Sequence, residues 1–251
     1  MDNINNFIHL ICGDNFNEEN DIDKVLKHLS TSLEKILIEI RELPSLNDDK
    51  IGLYGPYLGR ALLELSITAL LGRLDPFKIL LMKGVQEQND YDLGKPHSSA
   101  IRWQGDVLDK AVPNLWDEKA LKEPTRAILG AYQIELAMIN SAKKIVDTGS
   151  EESIGEWYTE ISNTDSTGLV KKIQSKIATL YSSLSKGIHH ELLIPYESIL
   201  DRDTVINLVN DSIFVISTLG LLVSQIPHAY KYEDFDSCAV FYKSSKELEL
   251  I

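Results

Sequence analysis

Apolar positions along most of the chain recur at steps of three and four residues, which is the spacing of one helix face. The clearest example spans 22–43 and stops before Pro44. Its apolar positions are Ile22, Val25, Leu26, Leu29, Leu33, Ile36, Leu37 and Ile40. No stretch shows sustained alternation of apolar and polar residues, and only the run 239–242 resembles a strand. The pattern therefore predicts an all-α protein.

The same spacing, read together with capping residues and prolines, predicts the remaining helices. These cover 54–72, 76–88, 124–146, 169–190 and 203–226, with shorter helices over 98–110 and 154–161. Asp75 and Pro76 are suited to the N-cap and first position of the third helix. No repeat of 20 to 50 residues suggests a solenoid. We therefore expect a single helical bundle of five to six main helices with short irregular connections.

The two ends of the chain differ from the centre in composition. Residues 1–21 are rich in asparagine, which favours turns, so we expect a loose leader there. Residues 231–251 begin with an acidic cluster and lack a clear helical period, so we expect an irregular acidic tail. The bundle domain itself is predicted over 22–230.

Composition and charge narrow the classes of function. The 251 residues include 43 % hydrophobic positions, which is ample for a core, and the formal net charge is -13. A surface this acidic repels phosphate backbones on average, which disfavours broad binding of nucleic acids. A local basic patch is still compatible with a negative net charge.

Sequence features that would place the chain outside the cytoplasm are missing. The N-terminus lacks a basic segment followed by an apolar one, and the most apolar window, 212–226, is shorter than the roughly 20 residues of a spanning helix. The two cysteines, Cys12 and Cys238, do not form a disulfide framework or a zinc motif. We expect a soluble cytoplasmic protein without membrane contact, metal or cofactor.

The densest patch of potential chemistry spans 182–191 and contains three serines, a lysine and two adjacent histidines before a glutamate. If one helix continues to 190, Lys186 and His190 share a face, and His189 shares a face with Ser185. A histidine can act as general acid or base and a lysine can hold a phosphate, so these four residues are the candidate catalytic set. The alternative is structural, with the cations offsetting the negative end of the helix dipole.

A helical bundle with such a patch on a late helix resembles the HEPN superfamily of prokaryotic defence and toxin proteins. The segment 59–65, Gly-Arg-Ala-Leu-Leu-Glu-Leu, adds to this resemblance, which extends over about 22–226. The resemblance implies a metal-independent endoribonuclease that dimerises and brings two patches into a shared cleft. The family's motif is an arginine followed by four to six residues and a histidine.

This chain departs from that motif. Leu184 and Ser185 stand five residues before the two histidines, and no arginine lies between Arg126 and Arg202. Lysine at 186 does not offer the planar guanidinium fork that holds phosphate. A HEPN-like fold in this chain is therefore expected to serve binding rather than cleavage.

Two further groups are candidates for binding. Arg60 and Glu64 lie four residues apart in an apolar helix and can pair across one turn, either as a site or as a structural ion pair. The irregular stretch 89–115 holds the most basic local group together with a tryptophan that can stack on a base or anchor the loop. Its residues are Lys95, His97, Arg102 and Trp103.

Motifs for nucleotide hydrolysis, dinucleotide binding, serine hydrolysis and zinc proteolysis are absent from the sequence. A small-molecule sensor with its pocket inside the bundle stays open, although nothing in the sequence selects it, and two hypotheses have sequence features behind them. In the first, the chain is a helical interaction subunit without catalysis that binds a protein partner or its own copy, as part of a bacterial antiphage defence or toxin-type assembly. In the second, it is a ribonuclease or RNA-binding toxin that uses Lys186 and His190. The missing arginine and the negative charge favour the first.

Overall fold

The computed structural model describes residues 3–89, 132–188 and 200–251. In these ranges the chain forms ten α-helices and no strand, which confirms the all-α prediction. The helices are α1 (Asn3–Cys12), α2 (Asp21–Glu42), α3 (Asp48–Leu74), α4 (Pro76–Gln86), α5 (Tyr132–Thr148), α6 (Glu151–Ile154), α7 (Tyr158–Ser162), α8 (Ser166–Lys186), α9 (Arg202–Ser224) and α10 (Phe235–Ser245). Eight of them have at least ten residues, so the predicted count of five to six main helices is not confirmed.

Asparagine and aspartate side chains begin the long helices by accepting a hydrogen bond from the first turn. The N-caps are Asn20 for α2, Asn47 for α3, Asp165 for α8, Asp201 for α9 and Asp234 for α10. Because Asn47 accepts from the amide of Lys50, α3 starts six residues before the predicted helix 54–72. Pro56 lies inside this longer helix.

Helix α9 lies at the centre of the bundle and packs most extensively against α3, with further contacts to α1, α5, α8 and α10. Its length and apolar composition would suffice to cross a membrane, but 67 % of its most apolar window is buried inside the protein. Such burial is expected of the core helix of a soluble protein, as the sequence predicts.

Both ends of the chain are more ordered than the sequence suggests. Residues of the expected leader form α1, whose apolar side chains Ile4, Phe7, Leu10 and Ile11 are buried in the core. The expected tail contains α10, which packs on α1 and α9. The run 239–242, the only candidate strand in the sequence, is helical, because these residues lie within α10.

Arg73, near the end of α3, fixes α1 and the segment before α10 in place. Its guanidinium is 1 % exposed and donates to the carbonyl oxygens of Leu10 (2.7 Å), Tyr230 (3.0 Å) and Lys231 (2.8 Å). No carboxylate within salt-bridge distance of it is seen in the described ranges. The Leu10 carbonyl belongs to the last turn of α1, where the helix dipole is negative, so the guanidinium compensates that dipole.

A second polar contact holds the loop between α1 and α2. Asp23 is 1 % exposed. The Oδ2 atom of its carboxylate accepts hydrogen bonds from the backbone amide of Asn17 (2.8 Å) and from Nζ of Lys231 (3.1 Å). Burial alone raises the pKa of Asp23, but the hydrogen bonds from Asn17, Lys231 and Tyr230 outweigh burial and hold this pKa below its usual value.

A pH titration tests this contact. Because the pKa of Asp23 is lower in the folded chain than in the unfolded one, its contribution to stability is complete above about pH 4 and disappears as the pH falls through the folded pKa. We expect Asp23→Asn to lower the free energy of unfolding by about 2 kcal/mol at neutral pH. Urea unfolding at several pH values should show the difference between the variant and the wild type shrinking below about pH 4. A difference that stays constant with pH would contradict the assignment.

Candidate functional site

Helices α3 and α8 approach closely because glycines face the contact. A Cβ atom built on Gly59 would lie 3.0 Å from Cδ2 of Leu184, and one built on Gly187 would lie 2.5 Å from Cγ of Pro56. Any larger residue at these positions would push the helices apart. This approach brings the polar face in the middle of α3 next to the last turns of α8.

The contact carries a network of three polar side chains. Arg60 donates through Nε to Oε1 of Glu64 at 2.8 Å and through Nη2 to the hydroxyl of Tyr181 at 2.7 Å. The Tyr181 hydroxyl in turn donates to the same Glu64 oxygen at 3.3 Å. The guanidinium carbon lies 4.7 Å from the centroid of the Tyr181 ring, which adds a cation–π contact. The predicted Arg60–Glu64 pair is therefore present, with a partner on α8 that the sequence did not reveal.

Burial and hydrogen bonds shift the pKa values of Arg60 and Tyr181 in this network. Partial burial lowers the pKa of Arg60, but the hydrogen bond and charge of Glu64, together with Tyr181, more than offset this and leave the pKa above its usual value. Burial raises the pKa of Tyr181, so its hydroxyl stays protonated and can donate to Glu64. The side chains of Arg60 and Glu64 are 23 % and 12 % exposed, so the network reaches the surface.

Two residues of the candidate catalytic patch, Ser185 and Lys186, lie in the last turn of α8. The hydroxyl of Ser185 donates to the carbonyl oxygen of Tyr181, one turn earlier, at 2.6 Å. Lys186 is exposed in the last turn of α8. The structure thus brings Arg60, Glu64 and Ser185 to one region, although the sequence treats them as two separate groups.

The helix ends earlier than the prediction of 169–190. Helix α8 ends at Lys186, and the amide of Ile188 donates to the carbonyl of Ser185 in a turn. The argument that Lys186 and His190 share a helix face assumed one helix through 190, so its basis is lost. His189 and His190 themselves, like Lys95, His97, Arg102 and Trp103, lie outside the described residues.

A row of exposed apolar side chains lies on α3 beside the network. Leu53, Tyr54 and Tyr57 are 48 %, 48 % and 59 % exposed. We use the name α3 stripe for a row of exposed and half-buried residues that recur at steps of three and four on one side of the helix. Lys50, Leu53, Tyr54 and Tyr57 are exposed, and Arg60, Ala61 and Glu64 are half-buried. The sequence carries a signal for this row, since α3 has more apolar residues than one buried face requires.

The described parts of the chain do not hold a metal centre. They contain no group of three or more histidine, cysteine, aspartate or glutamate side chains placed to bind an ion. Both cysteines are buried free thiols, and burial raises the pKa of Cys12 to about 12 and that of Cys238 to about 11. Neither thiol is therefore a reactive thiolate at neutral pH.

Comparisons of the chain with protein-family models, with curated proteins and with solved structures find no match in any of the three. The resemblance to the HEPN superfamily stays a prediction from the sequence.

Proposed function

We propose that the protein is a helical interaction subunit without catalysis of its own, which binds a protein partner through the α3 stripe. The observation that supports this is the exposure of Leu53, Tyr54 and Tyr57 next to an arginine held in a fixed orientation. Tyrosine and arginine are the residues that most often dominate the binding energy of protein interfaces. Leucine and tyrosine side chains of this exposure lose favourable burial energy unless a partner covers them.

The Arg60–Glu64–Tyr181 network contributes order rather than chemistry to this surface. Two nitrogens of the guanidinium are used within the network, and Nη1 has no hydrogen bond to the described residues. An arginine that is already ordered loses less conformational entropy when a partner binds. The resemblance to HEPN proteins adds the setting that we propose, a bacterial antiphage defence or toxin-type assembly in the cytoplasm.

A binding experiment tests this proposal. We expect Tyr57→Ala to weaken binding of the partner by about 2 kcal/mol, because it removes an exposed aromatic anchor without touching the core. The wild type, Tyr57→Ala and the control Val240→Ala would be immobilised and exposed to a lysate of the source cells, and the captured proteins quantified by mass spectrometry. Val240 is 60 % exposed on α10 and is a matched apolar control. Equal capture by all three variants would contradict a role for the α3 stripe.

A second function, that of a metal-independent ribonuclease or RNA-binding toxin using Lys186 and His190, is favoured by one observation. The sequence lacks an arginine close before the histidines, but Arg60 places a guanidinium against Tyr181, one turn before Ser185. Expression of the wild type and of Lys186→Ala/His190→Ala, followed by growth and total RNA, separates the two functions. RNA cleavage by the wild type alone would replace the interaction subunit with the ribonuclease.

A further inference from the structure

The α3 stripe is complementary to a second copy of itself. If two such helices lie antiparallel around a two-fold axis at Tyr57, each residue faces the one that is equally far from 57 in the other direction. Lys50 then faces Glu64, seven residues away on either side. Leu53 and Tyr54 face the pair Arg60 and Ala61. In this arrangement opposite charges therefore face each other across the axis, and a large side chain faces a small one.

We infer that the partner of the α3 stripe is a second copy of this chain, paired antiparallel through α3 with its two-fold axis at Tyr57. This inference rests on the proposed function and names the occupant of its surface. Two tyrosine rings meet at the axis, where exposure is highest. Leu53 covers the small side chain of Ala61, and the ring of Tyr54 packs along the aliphatic stem of Arg60.

Glu64 is prepared for its partner in the other copy. Its Oε1 accepts both internal hydrogen bonds, from Arg60 and from Tyr181. Its Oε2 accepts none from the described residues. The carboxylate is thus held in one orientation with one oxygen available for Lys50 of the second copy, and two such ion pairs form per dimer because the interface is symmetric.

The size of the surface sets the strength of the dimer. The exposed parts of Leu53, Tyr54 and Tyr57 amount to about 300 Å² per copy, estimated from side chains of this size. Flanking residues add to this area, but the total stays below the roughly 800 Å² per partner of a standard stable interface. The dimer is therefore weak and depends on concentration.

Cross-linking tests the position of the axis. Cysteines introduced at 57 come within disulfide distance of each other across the axis, where the Cα atoms must lie within about 7 Å. We expect Tyr57→Cys to form disulfide-linked dimers under mild oxidation much faster than Val240→Cys, an equally exposed control on α10. The native cysteines do not interfere, because both are buried. Equal rates for the two variants would overturn the inference.

Sedimentation equilibrium over a wide concentration range tests the charge pairing. Lys50→Glu places like charges opposite each other twice per dimer, and we expect the dissociation constant to rise at least about tenfold, or about 1.4 kcal/mol. Lys35→Glu makes the same charge change on the exposed face of α2 and should leave the constant unchanged. Circular dichroism melting confirms that each variant folds.

The outcomes separate this inference from the proposed function. A wild type that stays monomeric at every concentration, or equal effects of the two charge changes, overturns the dimer. If Tyr57→Ala nevertheless loses a different captured protein, the interaction subunit stands with another partner.

Discussion

Replacing Arg73 with methionine is expected to lower the free energy of unfolding by about 3–5 kcal/mol, the cost of breaking a buried charged contact. Methionine fills a similar volume but leaves the carbonyl oxygens of Leu10, Tyr230 and Lys231 without their donor. Water cannot replace the guanidinium, because the residue is 1 % exposed. Urea unfolding followed by circular dichroism measures the loss.

Two controls make the Arg73 experiment specific. Arg73→Lys keeps the charge but offers one nitrogen for three separate carbonyl groups. We therefore expect its stability to lie between that of Arg73→Met and that of the wild type. Lys35→Met removes a positive charge from the exposed face of α2 and should change stability by less than about 0.5 kcal/mol. If Arg73→Met unfolds at the same urea concentration as the wild type, the contacts of Arg73 do not hold the chain ends.

Replacing Phe7 with alanine is the second large effect, also about 3–5 kcal/mol, because it removes a ring from the packed core and leaves a cavity. Phe7 is 0 % exposed although it lies in a segment that the sequence suggests is loose. A change of this size requires that α1 folds together with the rest of the bundle. Thermal and urea unfolding should each show one transition at a lower midpoint.

Asn5→Ala is the matched control for Phe7, since Asn5 lies on the exposed face of the same helix. We expect it to change stability by less than about 0.5 kcal/mol. If both variants behave alike, α1 contributes no folding energy and is a separable leader after all.

The two arginines of α3 have different roles, because their guanidinium groups donate to different kinds of acceptor. Arg73 is buried and donates to backbone carbonyls, so it serves stability. Arg60 reaches the surface, is paired with Glu64 and lies on the ring of Tyr181. Because Arg60 lies beside exposed aromatic side chains and its Nη1 has no hydrogen bond to the described residues, variants of Arg60 are expected to affect partner binding more than folding.

The local pattern determines the helices that have a clear apolar stripe and a capping residue. The prediction of 22–43 corresponds to α2, and that of 76–88 to α4. The local pattern does not predict the helices at the two ends of the chain, because these helices are short and depend on contacts with the core. Phe7 and Tyr242 are buried by neighbours from distant parts of the chain. The apolar period of a single segment cannot predict such burial.

The sequence by itself determined the all-α class, the helices predicted over 22–43 and 76–88, the acidic balance and the i, i+4 pairing of Arg60 with Glu64. Only the tertiary structure decided that Tyr181 joins this pair, that α8 ends at Lys186, and that Leu53, Tyr54 and Tyr57 stay exposed. The physical reason is that helical periodicity shows which residues share a face but not which face a neighbouring helix covers. That choice depends on close approach at Gly59 and Gly187, between helices more than a hundred residues apart in sequence.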